Sequence, residues 1–194
     1  MSSGVLKAQS EVAKYVLRIR QFNSQDWRVY VVWVGMLYSL FAAVMGFVYL
    51  GYSNGVQFPS YVWNIPLGAF VFATAVYIDT IGHRTIYKSA LKNGEDLVHH
   101  ITIFCGITSV VLLCLCYEHS LFFRVPALVL TALSFVYSLV DEVFHWRRYL
   151  SGNSDPVEMW SHFGILLGHS VMMSAWCWWY LAGYPGVGET LQFL

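Results

Sequence analysis

Asp79-Thr-Ile-Gly-His83 followed by Glu95-Asp-Leu-Val-His99-His100 is a polar signature inside an apolar chain. It returns downstream as Asp141-Glu-Val-Phe-His145 and Glu158-Met-Trp-Ser-His162. In each half of each copy a carboxylate precedes a histidine by four residues, and the gap between halves is one residue longer in the second copy. Tyr87 and Tyr149 also follow the first histidine of their copy by four. A spacing of four puts two side chains on one face of a helix, a turn apart. The pattern predicts two related helical hairpins that contribute to one site.

Composition sets the surroundings of that site. The 194 residues are 57% hydrophobic and 11% charged, where an ordinary globular protein has about 25% charged residues. Long stretches nearly free of charge predict an integral membrane protein. A formal net charge of +0 argues against a generally basic nucleic-acid binder, and no nucleic acid is expected as a partner. Polar and charged residues precede the first apolar run, so a cleavable signal peptide is not expected. Cys105, Cys114, Cys116 and Cys177 lie in apolar runs without a CxxC spacing and read as small buried hydrophobes.

The expected fold is all-α: a membrane helical bundle with five transmembrane helices. An N-terminal segment (1–26) precedes the transmembrane domain (27–194), and the repeat hairpins cover about 61–117 and 121–181. The spans are read at about Trp27–Tyr52, Tyr61–Ile81, Glu95–Tyr117, Leu121–His145 and Pro156–Leu181. Asn54-Gly55 with Pro59, Asn93-Gly94, and Ser151 to Pro156 supply turns. In the N-terminal segment Val12, Tyr15, Val16 and Ile19 share a helical face that Lys14, Arg18 and Arg20 largely avoid. That helix either lies on an anionic membrane surface or packs on the bundle's own end. Of the 11 Lys and Arg, all except Arg124 fall on one side of these spans. The positive-inside rule therefore puts the N-terminus in the cytoplasm and the C-terminus outside. Trp176, Trp178 and Trp179 would then lie in an outer aromatic belt.

This topology brings both copies of the signature to the cytoplasmic side. Because the helices of a hairpin run in opposite directions, Asp79, His99, Asp141 and His162 form a deeper layer. His83, Glu95, His145 and Glu158 form a shallower one about 6 Å away. Each layer offers two carboxylates and two imidazoles, a ligand set for two transition-metal ions, with iron first and copper or zinc as alternatives. Asp79, His83, Glu95, His99, Asp141, His145, Glu158 and His162 are thus the candidate metal-binding and catalytic residues. Glu95 and Glu158 also stand where a helix-capping glutamate would. His169, two turns beyond His162, is a further candidate ligand or a path-lining residue. His100 points about 100° from His99 and is a candidate ligand or a group that orients one. Glu142 is similarly offset from Asp141, and His119 reads as a loop residue. From Tyr61 to Ile78 is about 27 Å of helix, which places the site near the inner headgroup boundary.

The ligand arrangement resembles that of integral-membrane di-iron hydroxylases and desaturases over Asp79–His100 and Asp141–His162. Those families use HxxxH and HxxHH boxes, and here Glu95-Asp-Leu-Val-His99-His100 has an acid at the first histidine position. It is also similar to the C subunit of copper membrane monooxygenases in its Asp-x3-His followed by a further histidine, although the second spacing is longer here. The resemblance implies a dimetal oxidoreductase that uses oxygen to hydroxylate or desaturate a lipid or other apolar substrate near the cytoplasmic leaflet. No flavin, nicotinamide or haem motif is present, so a separate electron donor is expected; membrane lipids surround the chain, and an oligomer is compatible with it. Three other readings use the same residues: a zinc-dependent lipid hydrolase, a haem-binding quinone or electron-transfer protein, and a divalent-metal transporter. Haem would not need the paired acids, and transport would need ligands continuing across the membrane, where only His169 qualifies.

The orientation has a direct consequence. A reporter fused after Leu194 is expected outside the cytoplasm and one inserted near Asn93 or Asn153 inside; both loops reporting outside would reverse the assignment.

Overall fold

Asn23 starts the first long helix. Its side chain accepts the N–H groups of Gln25 (2.8 Å) and Asp26 (2.9 Å), while Asp26 accepts the Asn23 N–H at 3.2 Å. This reciprocal capping box satisfies N–H groups that a helix start otherwise leaves unpaired. The helix therefore begins three residues before the expected Trp27. In this computed structural model residues 11–86, 95–152 and 155–194 are described, without the side chains of Glu95 and Asp96. Tyr87, Lys88, Lys92 and the Asn93-Gly94 turn lie outside that set.

The described residues are helical with no strand: α1 (Ser24–Ser53), α2 (Asn64–Thr85), α3 (Glu95–Leu150), α4 (Pro156–Leu181) and the short α5 (Val187–Leu191). α3 runs through 56 residues but breaks at His119, whose φ of −129° and ψ of 44° are not helical. Without a reversal there, His99 and Asp141 would stand about 63 Å apart; they approach to 3.5 Å. α3 is therefore two antiparallel arms, and the expected spans Glu95–Tyr117 and Leu121–His145 fall on them. Asp155 caps α4 by accepting the Val157 N–H (2.9 Å), with Pro156 in the first turn.

Three helices are long and apolar enough to cross a membrane: Ser24–Ser53, Ser60–Thr85 and Leu97–Leu150. Five spans were expected. The third and fourth merge within α3, and Pro156–Leu181 is long enough but is diluted by Ser161, His162, His169, Ser170 and Ser174. That helix is the buried centre of the bundle. The outward surface of α3 is apolar, with Leu121 98% and Phe122 80% exposed, a surface that water does not favour.

The repeat pattern predicts that α2 packs on the next arm, as the hairpin 61–117. Instead α2 packs on α4, and among the described residues its backbone barely touches α3. Glycine is the reason. A Cβ on Gly68 would lie 2.7 Å from the Gly168 carbonyl oxygen, and one on Gly168 would lie 2.8 Å from the Gly68 carbonyl oxygen. Only hydrogens separate the two backbones, the close approach that small residues give to membrane helices. Gly164 and Gly168 form a GxxxG pattern, visible in the sequence but not drawn out there.

The N-terminal segment packs on the bundle's own end. Tyr15 is buried with Phe22, Tyr30, Val34, Ile81 and Val157, and Val16 and Ile19 pack against them. At the opposite end the tail after α4 folds back. Tyr184 Oη donates to the Leu113 carbonyl (2.5 Å), and Trp179 Nε1 donates to that of Pro185 (3.0 Å). Of the three tryptophans expected in an aromatic belt, Trp176 and Trp179 are core residues and Trp178 alone is exposed. All four cysteines are free.

The glycine contact makes a prediction. Gly168→Leu is expected to lower stability by at least about 1–3 kcal/mol through overpacking, whereas Gly46→Leu, with open space around its Cβ, is expected to change it little. Thermal unfolding of the detergent-purified variants measures both.

Candidate metal centre

The antiparallel packing of α2 on α4 fixes the first half of the site. The contact runs from Gly68 with Gly168 and Met172, through Phe72 with Gly168 and Ala75 with Gly164, to Asp79 with His162. There Asp79 Oδ1 lies 3.0 Å from His162 Nε2, and Asp79 Oδ2 lies 3.3 Å from His83 Nε2 one turn along α2. The two arms of α3 build the second half. Asp141 Oδ2 lies 3.5 Å from His99 Nδ1 across the arms, and Asp141 Oδ1 lies 3.9 Å from His145 Nε2 one turn along.

The pairing is an exchange between repeats. Each aspartate meets the histidine four residues on in its own copy and the terminal histidine of the other copy. The rings gather accordingly: His83 lies 5.6 Å from His99, 6.3 Å from His162 and 6.4 Å from His145 between centroids, and His145 stacks on His162 at 3.2 Å.

Among the described residues two groups could hold a metal ion, Asp79 with His83 and His162, and Asp141 with His145 and His162; in each, one donor atom per residue lies within 4.8 Å of the others. A second feature supports the fit. Asp79 Oδ1, Asp141 Oδ1 and His162 Nε2 are buried with no well-aligned hydrogen-bond partner among the described residues, although the first and last are 3.0 Å apart. Close donor atoms that are misaligned with one another have the arrangement of ligands converging on a third centre. Carboxylate oxygen with imidazole nitrogen is a donor set for transition metals.

The other candidates fall elsewhere. Glu158 is fully buried but faces α3, where its Oε1 accepts from Arg148 at 2.6 Å and lies 3.4 Å from His145 Nδ1. Arg148 also donates to His145 Nδ1 (2.7 Å), because a guanidinium cannot accept. Glu158 thus stands behind His145, in the position of a carboxylate that orients a histidine ligand. The Glu95 side chain lies outside the described residues. His169 donates to Ser134 Oγ (3.1 Å), since that hydroxyl gives its own proton to the Thr131 carbonyl at 2.7 Å. Its ring packs between Phe135 and Phe72, apart from both groups. His100 is exposed at the mouth of a cavity beside the cluster, and His119 marks the break in α3.

Two residues of the site were not singled out by sequence. Arg148 was read as a topological charge, and Glu142 as merely offset from Asp141. Glu142 is buried and lines the cavity. The signal was a polar stripe along the second arm of α3, Thr131, Ser134, Ser138, Asp141 and His145, all buried. Such a stripe at spacings of three and four marks an inward face, and Arg148 continues it. No family model matches the chain, and neither a curated protein nor a solved structure is similar to it.

Proposed function

We propose that the chain is an integral membrane oxidoreductase with two transition-metal ions, iron first, that hydroxylates or desaturates a lipid or other apolar molecule with oxygen. The observation that carries the reading is the exchanged pairing of Asp79 and Asp141 with histidines of both repeats, in a cluster whose donor atoms are buried and misaligned. Ionisable groups inside an apolar bundle are costly and ordinarily serve a function. One metal would be held by Asp79, His83 and His162, the other by Asp141, His99 and His145. Bound iron or copper would supply the reduction of oxygen that oxidation of a C–H bond requires, with electrons from a separate donor.

The chain's own residues do the rest. The two carboxylates offset positive charge, and the imidazoles add neutral donors that keep coordination sites open. Glu158 holds the Arg148 guanidinium that donates to His145 Nδ1, and so orients the ring whose Nε2 faces Asp141. The apolar walls of the adjoining cavity exclude water from the reacting carbon. The basic groups on the site side, Arg84, Arg147 and Arg148, favour a cytoplasmic placement, and exposed Arg147 favours the approach of an acidic electron donor.

Purified protein is expected to carry about two metal ions, one per aspartate. His162→Ala, which removes a ligand of one metal and the ring stacked on His145 of the other, is expected to remove most of the metal, and His119→Ala to leave it unchanged. Glu158→Gln is expected to weaken metal affinity by roughly 10–100-fold, as loss of an orienting partner does. Elemental analysis and metal titration check all three; equal content in His162→Ala and wild type would defeat the assignment.

Oxygen chemistry is tested separately. Iron-loaded protein with a chemical reductant is expected to take up oxygen, and Asp79→Asn and Asp141→Asn are expected to slow that uptake at least about tenfold. No metal-dependent uptake, together with anaerobic turnover of a lipid ester in the zinc-loaded protein, would select the hydrolase instead.

A further inference from the structure

The cavity beside the cluster encloses about 910 Å³, within the roughly 300–1,000 Å³ typical of small-molecule sites. Its walls are runs of α1 from Val29 to Leu40, α2 from Phe72 to Arg84, α3 from His99 to Val111 and α4 from His162 to Met173. Each run is about 16–18 Å long, so the cavity is a slot parallel to the helices. One end holds His83, His99, Asp141 and Glu142; the other holds Leu40, Val110, Met172 and Met173. Its side lies between α1 and the first arm of α3, whose backbones barely touch among the described residues.

Glu142 adds an independent observation. It lines the polar end, is only 8% exposed, belongs to neither metal group, and its Oε1 has no hydrogen-bond partner among the described residues. Glu142 has Trp146 as one hydrogen-bond partner, which leaves Oε1 as a buried acceptor without a donor, a rare state in a folded protein, on a residue lining a slot large enough for a ligand.

We propose that the slot binds a long-chain amphiphile head-first, with an alcohol or amine head that donates a hydrogen bond to Glu142. The chain runs past Gly106 towards Met173. Tail-first entry would leave the head among Leu40, Val110 and Met173, apolar side chains that offer it no charged partner. A fatty carboxylate would set a further like charge beside Asp141 and Glu142, while Arg84 is engaged by Asp26 at 3.7 Å. The binding mode itself stands without a metal; that the carbons nearest the head are the ones oxidised rests on the oxidoreductase reading.

Gly106 gives a clean test, because a Cβ there meets nothing within 4 Å. It lies about 10 Å along α3 from His99, so Gly106→Phe fills the slot without striking a neighbour at Cβ. The probe is a hexadecanol analogue carrying a diazirine at its chain end, photolysed with the full chain in nanodiscs of saturated lipid, with labelled residues mapped by mass spectrometry. Labelling is expected at Leu40, Val110, Met172 or Met173, and is expected to disappear in Gly106→Phe with metal content unchanged. In chelator-treated, metal-free protein, unlabelled hexadecanol or hexadecylamine is expected to compete at least about tenfold better than hexadecanoate, the worth of one hydrogen bond to a charged group. Glu142→Leu is expected to erase that advantage. Labelling at His99 or His100 instead, equal labelling of outward-facing Leu121 and Phe122, or competition indifferent to the head would overturn the proposal. The expected labelling in protein that holds no metal would keep the slot and remove the oxidoreductase reading; metal with diffuse labelling would do the reverse.

Discussion

The contact on which the rest depends is backbone against backbone, where α2 crosses α4 at Gly68 and Gly168. A side chain at either position would push the helices apart, because each Cβ would meet the other helix's carbonyl oxygen inside van der Waals distance. The same antiparallel contact continues through Ala75 and Gly164 to Asp79 and His162. The 3.0 Å approach of that last pair is therefore set by glycines two to three turns away. α1 leans on α2, its N-terminus tied to the site by the Arg84–Asp26 ion pair.

The second constraint is the reversal of α3 at His119. It lays the two arms antiparallel, brings His99 to Asp141, and leaves the first arm standing away from α2. The gap so created is the slot. Had α2 and the first arm packed as a tight hairpin, Asp79 and His99 would face each other with no cavity between them. The loose pairing of consecutive helices and the tight pairing of distant ones together produce a polar cluster with an apolar chamber beside it.

Burying Asp79, Asp141, Glu158, His145 and His162 together is expensive unless each charge is met by another. The arrangement meets it through exchange, each aspartate drawing one histidine from each repeat, with Glu158 and Arg148 bracing His145 from behind. The exchange also couples the halves: losing His162 disturbs Asp79 directly and removes the ring stacked on His145. A cluster built this way forms only when both repeats are folded against each other.

The sequence by itself determined the helical class, the apolar character, the two copies of the signature and the face each copy presents, because helical spacing and hydropathy are local properties of the chain. It also placed the break near His119 and the turn before Pro156. Only the tertiary structure decided which helix meets which. The reading paired neighbours in the chain, whereas the glycine contact pairs α2 with α4, and the GxxxG signal carries no information about its partner. For the same reason Glu158, legible as a member of the repeat, turned out to face Arg148 and His145, and His169 to be held by Ser134. Burial of Glu142 depends on the tertiary packing around the cavity that it lines, which no spacing within α3 could show.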